Sequence, residues 1–228
     1  GWTHNFDIIL NVVQTSPTKR VRIWDSDGRA LYFNQVQQTS TEILFGGESG
    51  RKDRLKQVIS TGQYILRRKQ GNLTYTFSSN GQLQTISDPN GNTLTFTYTG
   101  GLLTQVTNNF GKAITIHYTN NRIDSVTDPN GRSILYEYTN GALTKVTYPD
   151  QNFVRYAYSS HDLTDKYDSN NNLIGHWAYD NRHRVTTYYS HLKDSVPQER
   201  IDLTYQVGST VVTRSTGATT YTTAVIDS

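Results

Sequence analysis

The feature that most constrains this chain is a rhythm. The stretch "DPNGNTLTFTYTGGLLTQVTN", from Asp88 to Asn108, returns as "DPNGRSILYEYTNGALTKVTY", from Asp128 to Tyr148, with a third version between them. Aligned on the glycine of the turn, one slot falls at Gly71, Gly91, Gly111, Gly131, Gln151 and Asn171, in steps of twenty residues. Leu94 and Phe96, Ile114 and Ile116, Ile134 and Tyr136, and Val154 and Tyr156 stand three and five positions after the slot. Tyr98, Tyr118, Tyr138 and Tyr158 stand seven after it. Leu83, Leu103, Ile123, Leu143 and Leu163 stand twelve after it, and Ile86, Val106, Val126 and Val146 fifteen after it. A fixed period of this length marks a chain built from repeated supersecondary units.

One unit can be read physically. Leu94, Phe96 and Tyr98 alternate with Thr93, Thr95 and Thr97, the period-two pattern of a half-buried strand. Gly100-Gly101, Asn120-Asn121 and Asn140-Gly141 follow, pairs that tolerate the positive φ of a tight hairpin. A shorter second strand comes next. In it Leu103 and Val106 are three apart, which simple alternation cannot place on one face, so a bulge or corner is expected at Leu103. Asp88-Pro89-Asn90-Gly91 and Asp128-Pro129-Asn130-Gly131 then fill a type I turn in the preferred way, and Gly111 holds the same slot between them.

The expected fold class is all-β: a long, twisted or spiralling antiparallel sheet of hairpin repeats, with at most one short helix. A lone hairpin cannot bury its apolar face, so each must lean on its neighbours. Tyr98, Tyr118, Tyr138, Tyr158 and Tyr179 are expected to stack as a structural ladder. Three segments are expected: an atypical β-rich lead-in over 1–70, regular repeats over 71–190, and a degenerate repeat over 191–228. Within the lead-in, Leu55, Val58 and Ile59 have helical spacing, which leaves a short helix or a loop with a short strand for 51–60. The last unit stops before it closes, and an open sheet edge is expected to pair with more of the parent chain or with another copy.

The chain has 16 Tyr and 17 Gly but no Met and no Cys. Absence of Met suggests a processed or excised piece. Absence of Cys excludes disulfides and thiolate metal sites and fits a secreted bacterial protein. No apolar stretch is long enough for a helical membrane span. A net charge of +3 is too small to imply nucleic acid.

The twenty-residue unit resembles the YD-repeat, or Rhs-repeat, of large bacterial secreted and surface proteins. Tyr179-Asp180 followed by Arg184-Val185 matches that motif best, Arg122-Ile123 fits its Arg-Leu slot, and Gly1-Trp2-Thr3-His4-Asn5-Phe6 resembles the segment that leads into such repeats. In the central units the Asp position holds Thr99, Thr119, Thr139 and Ser159 instead. The resemblance implies a spiralling sheet that builds a shell or hollow barrel. Related shells enclose a toxic domain in toxin complexes or serve adhesion in teneurins, and other members are wall-associated or carbohydrate-binding. It also implies an extracellular or cell-surface location.

No constellation of nucleophile, base and orienter stands out, so no catalytic residue, metal or cofactor is expected and the chain is read as non-enzymatic. The six His (His4, His117, His161, His176, His183, His191) form no HExxH pair. Asp168-Ser169-Asn170-Asn171-Asn172 opens like a calcium loop, but Leu173 replaces the glycine and Tyr179 the closing glutamate. Gly46 to Lys52 resembles a phosphate loop without its Gly-Lys-Ser/Thr ending, and Ser49 fails the Gly-x-Ser-x-Gly pattern of a nucleophile elbow, since Arg51 stands at the second glycine. Arg51, Lys52, Arg54, Lys56, Arg67, Arg68 and Lys69 form a candidate surface for a polyanion, a glycan or a cell-wall polymer. The expected function is an extracellular structural module, a β-scaffold acting as shell wall, surface or filament-forming element. The alternatives are a carbohydrate-binding or adhesion module and a fragment of a toxin-enclosing shell.

Overall fold

The computed structural model describes residues 6–48, 50–190, 192–193, 196–197, 199–207, 209–216 and 219–227, with the backbone alone for 192–193, 196–197 and 219–227. The readings of Gly1 to Asn5, Ser49 and His191 lie outside the described residues. The chain is all-β and divides into two units, Gly1–Ile116 and His117–Ser228.

The first unit contains β1 (Ile9–Gln14), β2 (Arg20–Trp24), β3 (Ala30–Gln38), β4 (Glu42–Gly47), β5 (Arg54–Val58), β6 (Tyr64–Arg67), β7 (Thr74–Phe77), β8 (Leu83–Ser87), β9 (Thr93–Thr99) and β10 (Leu102–Asn108), and β11 (Ala113–Thr119) runs across its boundary. Each strand pairs antiparallel with the next. The sheet also curls back on itself. Ile9 bridges Gln82, and the Leu10 N–H donates to the Gly81 carbonyl at 3.0 Å. That curl encloses a dry core of Leu10, Val21, Ile23, Phe33, Leu55, Tyr64, Leu66, Phe77 and Leu83, each at most 2 % exposed.

The 51–60 stretch is a loop and a strand. Leu55 faces the core, while Ile59 is exposed. The inward position after Leu55 is taken by Gln57, whose Oε1 accepts from Lys19 Nζ at 2.8 Å and whose Nε2 donates to the Gly62 carbonyl at 3.1 Å. A polar residue hydrogen-bonded on the inner side is what masks the strand alternation in the sequence. Among the described residues the single short helix is a 3-10 turn at Gln70–Asn72.

The second unit contains β12 (Arg122–Thr127), β13 (Ser133–Thr139), β14 (Ala142–Thr147), β15 (Phe153–Ser159), β16 (Asp162–Tyr167), β17 (Leu173–Tyr179), β18 (Val185–Ser190), the small hairpin β19 (Leu192–Lys193) and β20 (Val196–Pro197), then β21 (Glu199–Gln206), β22 (Ser209–Thr216) and β23 (Thr219–Asp227). From β12 to β18 each strand again pairs with its successor, and β18 then pairs with β21. Its core is thinner: Leu143, Val146 and Val154 are buried, and Ile134, Tyr136, Tyr138, Tyr156 and Ile174 pack on them while still partly exposed.

The repeat slot has a backbone reason. φ is positive at Gly71 (70°), Gly91 (88°), Gly111 (77°), Gly131 (81°), Gln151 (67°) and Asn171 (67°). In each of the last five, the slot N–H closes a turn onto the carbonyl three residues earlier, as from Gly131 to Asp128 at 3.0 Å. A left-handed conformation costs an ordinary L-residue about 1–2 kcal/mol. Gln151→Gly should therefore stabilise the second unit by about 1 kcal/mol, after the entropy cost of glycine is set against the relief. Urea unfolding of the two proteins side by side measures it.

Candidate functional site

Two features carry chemistry beyond simple packing: the way successive hairpins are fastened together, and a strip of cations on the first unit.

The fastening begins at the bulges. Register shifts fall between Leu103 and Gln105, Glu137 and Tyr138, Ala157 and Tyr158, and Ala178 and Tyr179. The extra residue explains how Leu103 and Val106, three apart, are both buried. A bulge interrupts the ladder of backbone hydrogen bonds. In the second unit a tyrosine of the following hairpin reaches that point. Tyr158 Oη donates to the Leu143 carbonyl at 2.8 Å, Tyr179 Oη to the Leu163 carbonyl at 2.8 Å, and Tyr205 Oη to the Val185 carbonyl at 2.7 Å. The sequence points to Tyr158 and Tyr179 as packing residues, passes over Tyr205, and misses the hydroxyl's role. Its signal was available: four successive units keep Tyr at this slot, while two positions earlier Phe96, Ile116, Tyr136 and Tyr156 interchange freely. Tyr98 belongs to the first unit, and Tyr118 and Tyr138 to the second.

The turn residues act on their own backbone. Asp88 Oδ1 accepts from the N–H groups of Asn90 and Asn92, and Asp128 Oδ1 from those of Asn130 and Arg132. Pro89 and Pro129 occupy the second turn position, where a fixed φ suits a type I turn. Asp180, the aspartate of the Tyr179-Asp180 pair, does the same for Arg182 and Arg184. The Arg184 backbone N–H, helped by its guanidinium and the Arg182 N–H, holds the Asp180 carboxyl down at about 2. Asp168 accepts from Asn170, from the Asn172 backbone and from the Asn172 side chain, so the calcium-like loop is a satisfied turn. Among the described residues no group of three or more His, Cys, Asp or Glu converges as a metal site.

Two histidines meet aspartates. His176 Nδ1 lies 2.8 Å from Asp165 Oδ1 and stacks on Tyr189 with ring centroids 4.6 Å apart. His183 Nδ1 lies 2.8 Å from Asp162 Oδ2. Neither ring has a second hydrogen-bond partner among the described residues. The hydrogen bond to Asp162, then that carboxylate's charge, and finally Asp180 raise the His183 pKa above its ordinary value. The sign follows by linkage: the stabilising contribution is full below about pH 6.5 and is lost as pH rises through the raised folded value. Denaturation of the second unit between about pH 6 and 8 should show this loss, and His183→Gln should flatten it.

The seven predicted cations do not act as one group. Arg51 pairs with Asp53 at 2.9 Å, Lys56 with Glu42 at 2.5 Å and Arg68 with Asp25 at 2.9 Å. Lys52, Arg54, Arg67 and Lys69 are exposed and form no ion pair among the described residues. Lys52 and Lys69 help line an open groove of about 590 Å³ with Tyr32, Glu48, Arg51 and Gln70.

The RHS Repeat family matches residues 77–113 and 117–152. These two stretches are RHS repeats. The two matched stretches hold Tyr98, Tyr118 and Tyr138 at the repeat position that Tyr158 occupies in the next unit. No curated protein matches the sequence. Among solved structures, one described as "Crystal Structure of TcdB2-TccC3-Cdc42" contains a similar chain, at 9 % identity and a TM-score of 0.41. The match covers 95 % of this chain and 16 % of that one, so the chain spans about a sixth of its length. No helix of the described residues is long and apolar enough to cross a membrane.

Proposed function

We propose that this chain is a non-enzymatic structural module of a larger bacterial protein that works outside the cell. The observation that carries the reading is the series of tyrosine hydroxyls, each donating to a carbonyl of the preceding hairpin. Such a bond contributes only about 1 kcal/mol, but repetition turns a stack of weak hairpins into a stiff wall. The turn aspartates Asp88, Asp128, Asp168 and Asp180 are each engaged in holding their own turn. The finer form of the reading is a shell wall. It is favoured by the second unit's aromatic face, where Tyr136, Tyr138 and Tyr156 stay partly exposed and could meet a cargo or a further layer.

The scaffold reading has a direct test. Deleting one whole period, residues 131–150, should leave a folded all-β protein by circular dichroism, because the flanking hairpins present equivalent faces. Deleting half a period, residues 131–140, should not. Tyr158→Phe should cost about 1 kcal/mol in unfolding free energy. Equal damage from both deletions, with no effect of Tyr158→Phe, would remove the modular scaffold. For location, antibody against the chain should label intact source cells; labelling only after lysis would rule out an extracellular role.

A further inference from the structure

We propose that Lys19 and Gln57 join through a self-formed isopeptide bond, a covalent link across the curl of the first unit. Lys19 stands just before β2, and Gln57 lies on β5, 38 positions further along the chain. Lys19 Nζ donates to Gln57 Oε1 at 2.8 Å, so the amine already touches the amide that it would attack. As a source of stability the contact is a poor one. Lys19 forms no ion pair among the described residues, and a partly buried ammonium gains little from a neutral amide. Lys56 and Lys145 show the contrast. Each donates to a glutamate, Glu42 or Glu137, and an amine beside a carboxylate keeps its charge.

Both reacting side chains are held in place. The Lys19 N–H donates to Gln35 Oε1 at 3.1 Å, and the Lys19 carbonyl accepts from the Gln35 N–H at 2.8 Å, which fixes the base of the lysine against β3. Gln57 Nε2 donates to the Gly62 carbonyl at 3.1 Å, which turns Oε1 toward the lysine. Tyr64 stands directly opposite Gln57 on β6, is 1 % exposed, and has its Oη 3.4 Å from Lys19 Nζ. Pre-orientation of this kind replaces a bimolecular encounter. Burial lowers the Lys19 pKa, which favours the neutral, nucleophilic amine, and raises that of Tyr64, which keeps the phenol protonated.

The step balances without a co-reactant. The bond from Lys19 Nζ to Gln57 Cδ forms, and the bond from Cδ to Nε2 breaks. Tyr64 gives its hydroxyl proton to the departing Nε2 and receives one from Nζ, so ammonia leaves and the phenol is restored. The product is a secondary amide that staples β5 to the residue leading into β2. It forms once per chain, on the chain itself. The link goes beyond the scaffold reading and does not rest on it, since the hairpins stack with or without the staple.

The test uses the intact chain, kept folded in neutral buffer and weighed by mass spectrometry after denaturation. The expected mass is lower by one ammonia than the sequence requires, and trypsin should release the peptide bearing Lys19 joined to the peptide bearing Gln57. Lys19→Arg keeps the charge, and Gln57→Glu keeps the contact as an ion pair. Both should stay at the unlinked mass and melt roughly 10 °C below the linked protein. Tyr64→Phe should form the link at least about tenfold more slowly. A folded chain still at full mass after prolonged incubation would overturn the proposal. So would an ammonia loss that leaves the two peptides separate, because asparagine side chains can lose ammonia by closing on their own backbone. An equal rate in Tyr64→Phe would overturn the part given to the phenol.

Discussion

Gly81→Ala should lower the melting temperature of the first unit by roughly 10–20 °C, the largest effect expected from any single methyl group in this protein. Gly81 sits in the turn that joins β7 to β8, at φ +86°, and its carbonyl accepts the Leu10 N–H at 3.0 Å. A Cβ built there would meet the Leu10 carbonyl oxygen at 1.8 Å and its carbonyl carbon at 2.9 Å. Both are backbone atoms, so no side chain can swing aside. The alanine must push β1 off the turn. That movement breaks the contact by which the sheet curls back on itself and loosens Ile8 and Leu10, now 5 % and 2 % exposed, from the core. Strain at the left-handed backbone and the lost hydrogen bond together cost about 3 kcal/mol. Gly91→Ala separates the two causes. Its φ is +88°, but nothing lies within 4 Å of the new Cβ, so it should cost only about 1 kcal/mol. Thermal unfolding followed by circular dichroism measures both, and similar losses in the two variants would show that the approach of Leu10 is unimportant.

Gly81 also shows where the sequence stops being readable. The regular repeats were legible because each unit repeats a local rule: alternation for the strand, positive φ at the slot, an Asp or Asn to hold the turn. Leu94, Phe96 and Tyr98 need no distant partner to declare a strand. The curl in the first unit depends on Leu10 meeting Gly81, and nothing near either residue encodes that meeting. The same holds for the cations. Arg51, Lys56 and Arg68 look like Lys52, Arg54 and Arg67 in the sequence, and only the fold brings Glu42 to Lys56 and Asp25 to Arg68. Gln57 hid a strand for a related reason, since its hydrogen bond to Lys19 lets a polar residue occupy an inward position. The hydroxyl bonds of Tyr158 and Tyr179 lie between these cases. The slot was visible, but its acceptor is a backbone carbonyl of another hairpin.

Asp25→Asn should cost about 3 kcal/mol, because it leaves a guanidinium half stranded at the end of the first unit's core. Among the described residues Asp25 is the one charged residue at a buried position, at 7 % exposure, and the Arg68 side chain is 20 % exposed. Their atoms approach to 2.9 Å, but Arg68 Nη2 and Nε lie off any hydrogen-bond axis and are buried. The attraction is therefore ionic, supplemented by the Tyr75 ring 4.8 Å from the guanidinium. Asparagine keeps an oxygen for the Ser26 N–H, which Asp25 Oδ1 accepts at 2.9 Å, so the turn survives and the loss of charge is isolated. A buried pair with imperfect hydrogen bonding contributes little over an apolar pair of the same volume, while removal of one partner exposes the full desolvation cost of the other. Arg68→Met should accordingly recover most of the loss when placed on the Asp25→Asn background, since it withdraws the stranded charge and keeps contact with Tyr75. Urea unfolding of the two single variants and the double variant gives the coupling directly. A double variant as unstable as the sum of its parts would mean that Asp25 acts through its turn alone and that Arg68 is held by Asp53 and Tyr75.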